Sequence, residues 1–287
     1  MARMSNHQLI SARELLDELG NDALRVLDCR FNLSDVQAGR REYLNAHIPG
    51  AGFVDLNEDL AAAPGHGGGR HPLPSAESVA ACFGRLGIDS SVRVVVYDGA
   101  SGAMAARAWW MVRWLGHDRV RLLDGGFDAW ARQQFPVESG VQSFTSKAFS
   151  ATPRSDLIVK TDELVKAGKG IDSLNLLDAR DRSRFLGEVE PIDRVAGHVP
   201  GARNMPFQDS LGANELWKAR DVRRAQWIET LGGDANAASI AMCGSGVTAC
   251  HLVLSAVDAG VREPRLYVGS WSAWIEDPGR PIAVGAA

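Results

Sequence analysis

The feature that most restricts how this chain can fold is a series of short motifs that occurs twice, in the same order. The run Leu24 to Leu27 ends in Asp28-Cys29-Arg30, and the run Leu174 to Leu177 ends in Asp178-Ala179-Arg180, 150 places on. His47-Ile48-Pro49-Gly50-Ala51 returns as His198-Val199-Pro200-Gly201-Ala202, 151 places on. Val94 to Asp98 has Ser239 to Cys243 as its counterpart at a spacing of 145, and Leu123 to Trp130 has Tyr267 to Trp274 at 144. Four matches in one order at nearly constant spacing mark a duplicated domain, since solenoid repeats have periods of roughly 20–50 residues. The 287-residue length accommodates two domains of ordinary size.

Within each copy, short apolar runs alternate with helix-like segments. Ser11 to Glu14 reads as a capping box opening a helix that Gly20 closes. Ser75 to Leu86 and Ala103 to Leu115 read as helices, and Leu24–Arg30, Val92–Asp98 and Val120–Leu123 as buried strands. The alternation predicts the α/β class: two tandem domains, each a mainly parallel sheet with helices on both faces. Glu138 to Pro153 is rich in Ser, Thr and Gly without periodicity and reads as a linker between residues 1–137 and 154–287.

Charge and cysteine usage exclude several classes of function. A formal net charge of −4 argues against nucleic-acid binding, and no apolar run approaches the roughly 18 residues of a membrane span. Met1 to His7 has no apolar core of the signal-peptide kind. The four cysteines (Cys29, Cys82, Cys243 and Cys250) are too few and scattered for a disulfide framework or a paired-CxxC metal site, which points to a reducing cytoplasm.

Cys243 is the candidate nucleophile. It lies between the apolar run Ala238–Met242 and a helix-like segment from Val247 to Ala259, joined by the glycine-rich Cys243-Gly244-Ser245-Gly246-Val247-Thr248. At such a strand-to-helix crossing, backbone N–H groups and the helix N-terminus favour an anion and lower a thiol's pKa. In parallel sheets ligands sit beyond the carboxyl ends of strands, which is where this cysteine falls. The first copy has Asp98 there, so the nucleophile exists once. Cys250, seven residues on, reads as a packing residue of the helix. His47 and His198 recur in both copies, including the one whose loop lacks the cysteine, and so read as structural pins of the Pro-Gly turns.

The duplicated order, the Asp-Ala-Arg strand end, the His-Val-Pro-Gly-Ala motif and the single cysteine loop together resemble the tandem rhodanese-fold sulfurtransferases over nearly the whole chain. The loop is similar to that of the mercaptopyruvate-using members, whereas thiosulfate-using rhodaneses usually carry Arg and Lys where this chain has Gly244 and Ser245. The resemblance implies a Cys243 persulfide formed from 3-mercaptopyruvate, with pyruvate released. The sulfur then passes to thioredoxin, a small thiol or cyanide in a ping-pong scheme. No cofactor or metal is implied. Ser245, His71 and Asp55 match a proposed proton relay, with Gly65 to Gly69 a flexible approach to His71. Gly244, Gly246, Val247 and Thr248 would cradle the substrate. Arg184 matches the family's first carboxylate-binding arginine, and Arg194 is the candidate for the second, in a segment shortened after Glu190-Pro191.

Three alternatives bear on this reading. Thiosulfate could be the donor in the same mechanism, although a dianion would benefit from cations in the loop. A Cys-x5-Arg phosphatase needs an arginine where this chain has Ala249. A sulfur carrier without donor turnover would keep Cys243 loaded but catalyse nothing.

Overall fold

A computed structural model describes residues 7–65 and 67–286 and resolves the chain into two compact units. The first takes in the chain up to Leu60, Pro74–Pro153 and Gly212–Trp217; the second takes in Ala61–Leu73, Arg154–Leu211 and the chain from Lys218 onward.

The first unit runs β1 (Leu9–Ile10), α1 (Ala12–Glu18), β2 (Leu24–Asp28), α2 (Ala38–Asn45), β3 (Ala51–Phe53), α3 (Ala76–Arg85), β4 (Arg93–Tyr97), α4 (Ala105–Trp114), β5 (Val120–Leu123) and α5 (Gly126–Arg132). Its five strands are all parallel, in the order β1-β5-β4-β2-β3. The Ser11 capping box forms as the sequence predicts: the Glu14 N–H donates to Ser11 Oγ at 3.2 Å and the Ser11 N–H to Glu14 Oε2 at 2.9 Å.

The second unit repeats the plan with β6 (Ile158–Val159), α6 (Thr161–Ala167), β7 (Leu176–Asp178), α7 (Arg182–Leu186), β8 (Arg203–Asn204), α8 (Arg220–Thr230), β9 (Ile240–Met242), α9 (Ala249–Asp258), β10 (Arg265–Tyr267) and α10 (Ser270–Trp274). The order β6-β10-β9-β7-β8 is the same, and again every pairing is parallel. Strands β4 and β9 occupy the middle of their sheets. Val94 to Tyr97 and Ile240 to Met242 are buried at consecutive positions, so both sheet faces are covered. The helix after each middle strand is sunk in the core: α4 is buried at every position, and α9 at all but Val257.

The motif Asp-x-Arg at the end of β2 and β7 is an internal clamp. Arg30 donates from Nη2 to Asp28 at 2.6 Å and to the Ala46 carbonyl at 2.6 Å; Arg180 does the same to Asp178 at 2.7 Å and the Gly197 carbonyl at 2.8 Å. Each clamp holds the residue just ahead of a His-x-Pro-Gly turn. His47 and His198 then donate from Nδ1 to the carbonyls of Tyr43 and Phe185, both at 2.8 Å, in the structural role their recurrence suggested.

The segment 138–153 forms no helix, as its composition suggested, but it does not hang free. The N–H groups of Lys147 and Thr152 donate to the carbonyls of Gly84 and Leu115, both at 2.9 Å, and Phe149 packs on Phe83. It is a strap belonging to the first unit. Among the described residues no helix is long and apolar enough to cross a membrane.

Candidate active site

Cys243 follows β9 directly, and the loop it opens is tied down by its carbonyls. The N–H groups of Trp271 and Ser272, in α10, donate to the carbonyls of Cys243 and Gly244 at 3.0 and 2.8 Å. With the Cys243 and Gly244 carbonyls spent on α10, the loop brings the Gly246 N–H to the sulfur, where it donates to Cys243 Sγ at 3.2 Å. Gly246 has φ +76°, and a Cβ there would meet the Val268 carbonyl at 2.3 Å, so the turn requires glycine. Cys243 is itself 2% exposed.

Ser270 fixes the base of this arrangement. Its hydroxyl accepts the Cys243 N–H at 3.1 Å and donates to the Tyr267 carbonyl at 2.9 Å. It does so at φ +53°, a left-handed conformation that costs a non-glycine residue on the order of 1–2 kcal/mol. That strain sits beside Cys243 and nowhere else in the loop, where the other left-handed residue is Gly246.

Ser245 is 6% exposed, and its Oγ lies 2.8 Å from Nδ1 of His71, itself buried. His71 ends a segment that the second unit grips firmly. Gly67 and Gly69 donate their N–H groups to the carboxylate of Glu276, and the Arg70 N–H donates to Ser272 Oγ at 3.0 Å. A Cβ on Gly69 would strike Ser272 Oγ at 2.5 Å. The glycines, read from the sequence as a flexible approach, instead permit a close backbone seat; His66 lies outside the described residues.

Arg184 extends from α7 as expected, and it is already engaged. Glu190 Oε1 accepts from its Nε at 3.1 Å and its Nη2 at 2.8 Å, while Asp193 Oδ2 accepts from Nη2 at 3.1 Å. The other oxygen of Asp193 accepts from Arg70 Nη1 at 2.5 Å. A methyl group on Gly244 would sit 3.1 Å from Arg70 Nη2, 3.7 Å from Arg184 Nη2 and 3.7 Å from Asp193 Oδ2. Two guanidiniums and a bridging carboxylate therefore stand directly over the cysteine loop.

Arg194 does not join them. Its guanidinium donates to the Ile275 carbonyl at the end of α10. The cause is the short turn after Glu190-Pro191: the Ile192 and Asp193 N–H groups donate to Glu190 Oε1 at 3.1 and 3.0 Å, and the tightened turn points Asp193 inward in place of an arginine. Burial opposes the charge of Glu190, but those two amides and Arg184 outweigh it and hold its carboxyl below the usual glutamate value. Burial likewise opposes the charge of Arg180, and Asp178 and Glu190 keep its pKa above the usual value nonetheless.

The structure thus gathers Cys243, Gly244, Ser245, Gly246, His71 and Arg184, and adds Arg70, Glu190 and Asp193, which sequence reasoning missed. Val247 is buried in the loop, and Thr248 starts α9 without a side-chain capping bond. Cys250 is fully buried and donates from Sγ to the Gly246 carbonyl at 3.3 Å. Asp55 belongs to the first unit, where its Oδ1 accepts from the N–H groups of Asn57 and Glu58 at 2.8 and 3.1 Å. Adjacency of Arg70 to His71 was the available signal for Arg70. Among the described residues no group of three or more His, Cys, Asp or Glu could hold a metal ion.

Comparison with known proteins identifies the family to which the two-domain fold belongs. The rhodanese-like domain model matches twice, over residues 11–133 and 161–277. A Pseudomonas aeruginosa protein described as a probable 3-mercaptopyruvate sulfurtransferase is 45% identical over 284 residues, covering 98% of this chain and 100% of its own length. The Bos taurus thiosulfate sulfurtransferase is 37% identical over 88% of this chain and 84% of its own. Among solved structures, SseA from Escherichia coli, presented as a 3-mercaptopyruvate sulfurtransferase with the rhodanese fold, aligns with TM-score 0.80 at 32% identity, over 93% of this chain and 99% of its own. With two matched domains and one cysteine loop, the chain belongs to the rhodanese-like family, in its tandem form.

Proposed function

We propose that this chain is a 3-mercaptopyruvate sulfurtransferase. The observation that carries the reading is the cysteine loop with a serine–histidine contact: Cys243 Sγ accepts the Gly246 amide, and Ser245 Oγ lies 2.8 Å from His71 Nδ1. The Cys243 thiolate attacks the sulfur of the donor. The new S–S bond forms as the C3–S bond breaks, and its electron pair leaves with the carbon as the enolate of pyruvate. Ser245, hydrogen-bonded to His71, would pass a proton to that carbon. The persulfide rests in the amide cradle at the start of α9. An acceptor thiolate then attacks the outer sulfur and returns Cys243 as the thiolate. Thioredoxin, a small thiol or cyanide would serve as the acceptor, in a cytoplasmic setting that suits the free cysteines.

Charge around the loop supports mercaptopyruvate over thiosulfate. Arg70 and Arg184 approach Gly244, but Asp193 and Glu190 neutralise them, so no net positive charge is left for a dianion. A single carboxylate suits such a site better. The test is kcat/KM for the two donors with one acceptor: mercaptopyruvate should be preferred by at least about tenfold, and a preference for thiosulfate would overturn the assignment. Pyruvate released in one equivalent per enzyme before acceptor is added, with one sulfur atom on Cys243 by mass spectrometry, separates the enzyme from a carrier.

A further inference from the structure

The expected second carboxylate-binding arginine, Arg194, is turned away to the Ile275 carbonyl. Resting on the mercaptopyruvate reading, we infer that Arg70 takes its place, so that the donor's carboxylate is held between Arg70 and Arg184 above Gly244.

Three observations converge on this. Asp193 places one oxygen on Arg70 and the other on Arg184, so a carboxylate of the protein itself already bridges the two guanidiniums. Their spacing is therefore matched to a carboxylate. Next, Asp193 takes only Nη1 of Arg70. The Nε of that side chain is buried and, among the described residues, has no hydrogen-bond partner, while Nη2 faces Gly244. The Nε–Nη2 edge is the one with which a guanidinium grips a carboxylate through two parallel hydrogen bonds. A buried N–H donor left unpaired costs free energy, and a ligand oxygen arriving there recovers it. Finally, the backbone around Arg70 is fixed by Ser272 Oγ and by the Glu276 grip on Gly67 and Gly69, so the arm is positioned before any ligand arrives.

The absence of a cation at Gly244 also acquires a reason. Any side chain at that position would fill the space that separates Arg70 Nη2 from the loop.

The test uses Arg70→Met and Arg70→Lys in the full-length enzyme, with two readouts. The first is steady-state turnover of mercaptopyruvate. Arg70→Met should raise KM roughly 30-fold with kcat within about threefold, and Arg70→Lys should recover part of the loss. The second is loading of Cys243 from inorganic polysulfide, which has no carboxylate and should be unchanged in both variants. An unaltered KM in Arg70→Met, or polysulfide loading that falls as steeply as mercaptopyruvate turnover, would overturn the role of Arg70. Failure of the parent reading looks different: wild-type enzyme would then favour thiosulfate whatever stands at position 70.

Discussion

Strands β4 and β9 end in Asp98 and Cys243, on loops whose carbonyls are tied in the same way. Phe127 and Asp128 donate to the carbonyls of Asp98 and Gly99, both at 2.8 Å, as Trp271 and Ser272 do to those of Cys243 and Gly244. The amides then meet different occupants. In the first unit Asp98 Oδ1 accepts from Ala100 at 3.2 Å and Gly102 at 2.9 Å, and Oδ2 accepts from Met104 at 2.8 Å and Ala105 at 3.2 Å. Four donors converge on a carboxylate that the chain supplies itself. In the second unit the thiol takes the Gly246 amide. The corresponding turn is thus filled permanently by a carboxylate in one copy and, on the proposed mechanism, kept for a transient persulfide in the other. Even the residue under the loop differs: Gly126, where a Cβ would meet the Asp98 carbonyl at 2.5 Å, has Ser270 as its counterpart, whose hydroxyl steadies the Cys243 amide.

The comparison can be broken most severely by exchanging the occupants. Cys243→Ser should lower sulfur transfer roughly 10⁴-fold or more. Adding Asp98→Cys should not restore it, because the first loop has no serine–histidine pair assigned to it; recovered cyanide-dependent turnover would show that the turn alone suffices. Less drastic is Ser245→Ala, which keeps the cradle and removes the His71 contact. It should lower kcat for mercaptopyruvate roughly 100-fold, and a polysulfide-loaded enzyme should still pass sulfur to acceptor at the wild-type rate.

Asp98→Ala empties the filled turn. A cavity of about 300 Å³, lined by Arg30, Asp98, Ser101 and Met104 among others, adjoins it and can admit water to the abandoned amides. The cost should therefore be moderate, about 2 kcal/mol in urea unfolding; no loss would mean that the carboxylate is not what holds the loop.

The smallest effect concerns the acids beside the two clamps. Arg180 Nη1 lies 3.5 Å from Glu190, which is 4% exposed, whereas Arg30 Nη1 lies 3.9 Å from Glu42, which is 57% exposed. The folded structure holds the Glu190 carboxyl below its ordinary value of 4.5, so its contribution is complete above that value and fades as pH falls through the folded pKa. Stability measured as pH falls through the folded pKa should decline less steeply in Glu190→Gln than in wild type. Identical slopes in the two proteins would refute the stabilising role of that carboxylate.

Much of this was legible in the residues. The doubled motif order predicts two like sheets, because each motif marks a strand end or a turn that the topology needs. Cys243 could be placed at a strand end, with Asp98 as its silent counterpart. What escaped depends on contacts between distant parts of the chain. Residues 138–153 look like a linker by composition, yet paired amides and two phenylalanines lay them on the first unit. Gly65 to Gly69 look loose until Glu276 and Ser272 supply their partners. Arg194 and Asp193 are adjacent in sequence, and only the turn capped by Glu190 decides which faces the site. The role of Asp98 as an anion is visible in the residue type but not the four amides that it satisfies.

The unit that carries Cys243 gathers three stretches of chain, the earliest being Ala61–Leu73. On the roles proposed above, gene fragments that begin after Pro153 would encode Cys243 and Arg184 but neither His71 nor Arg70. Inheritance of the proposed activity would then require both copies of the duplication together. The copy with Asp98 in place of the loop cysteine could not be discarded by deletion, however far its own loop has drifted from chemistry.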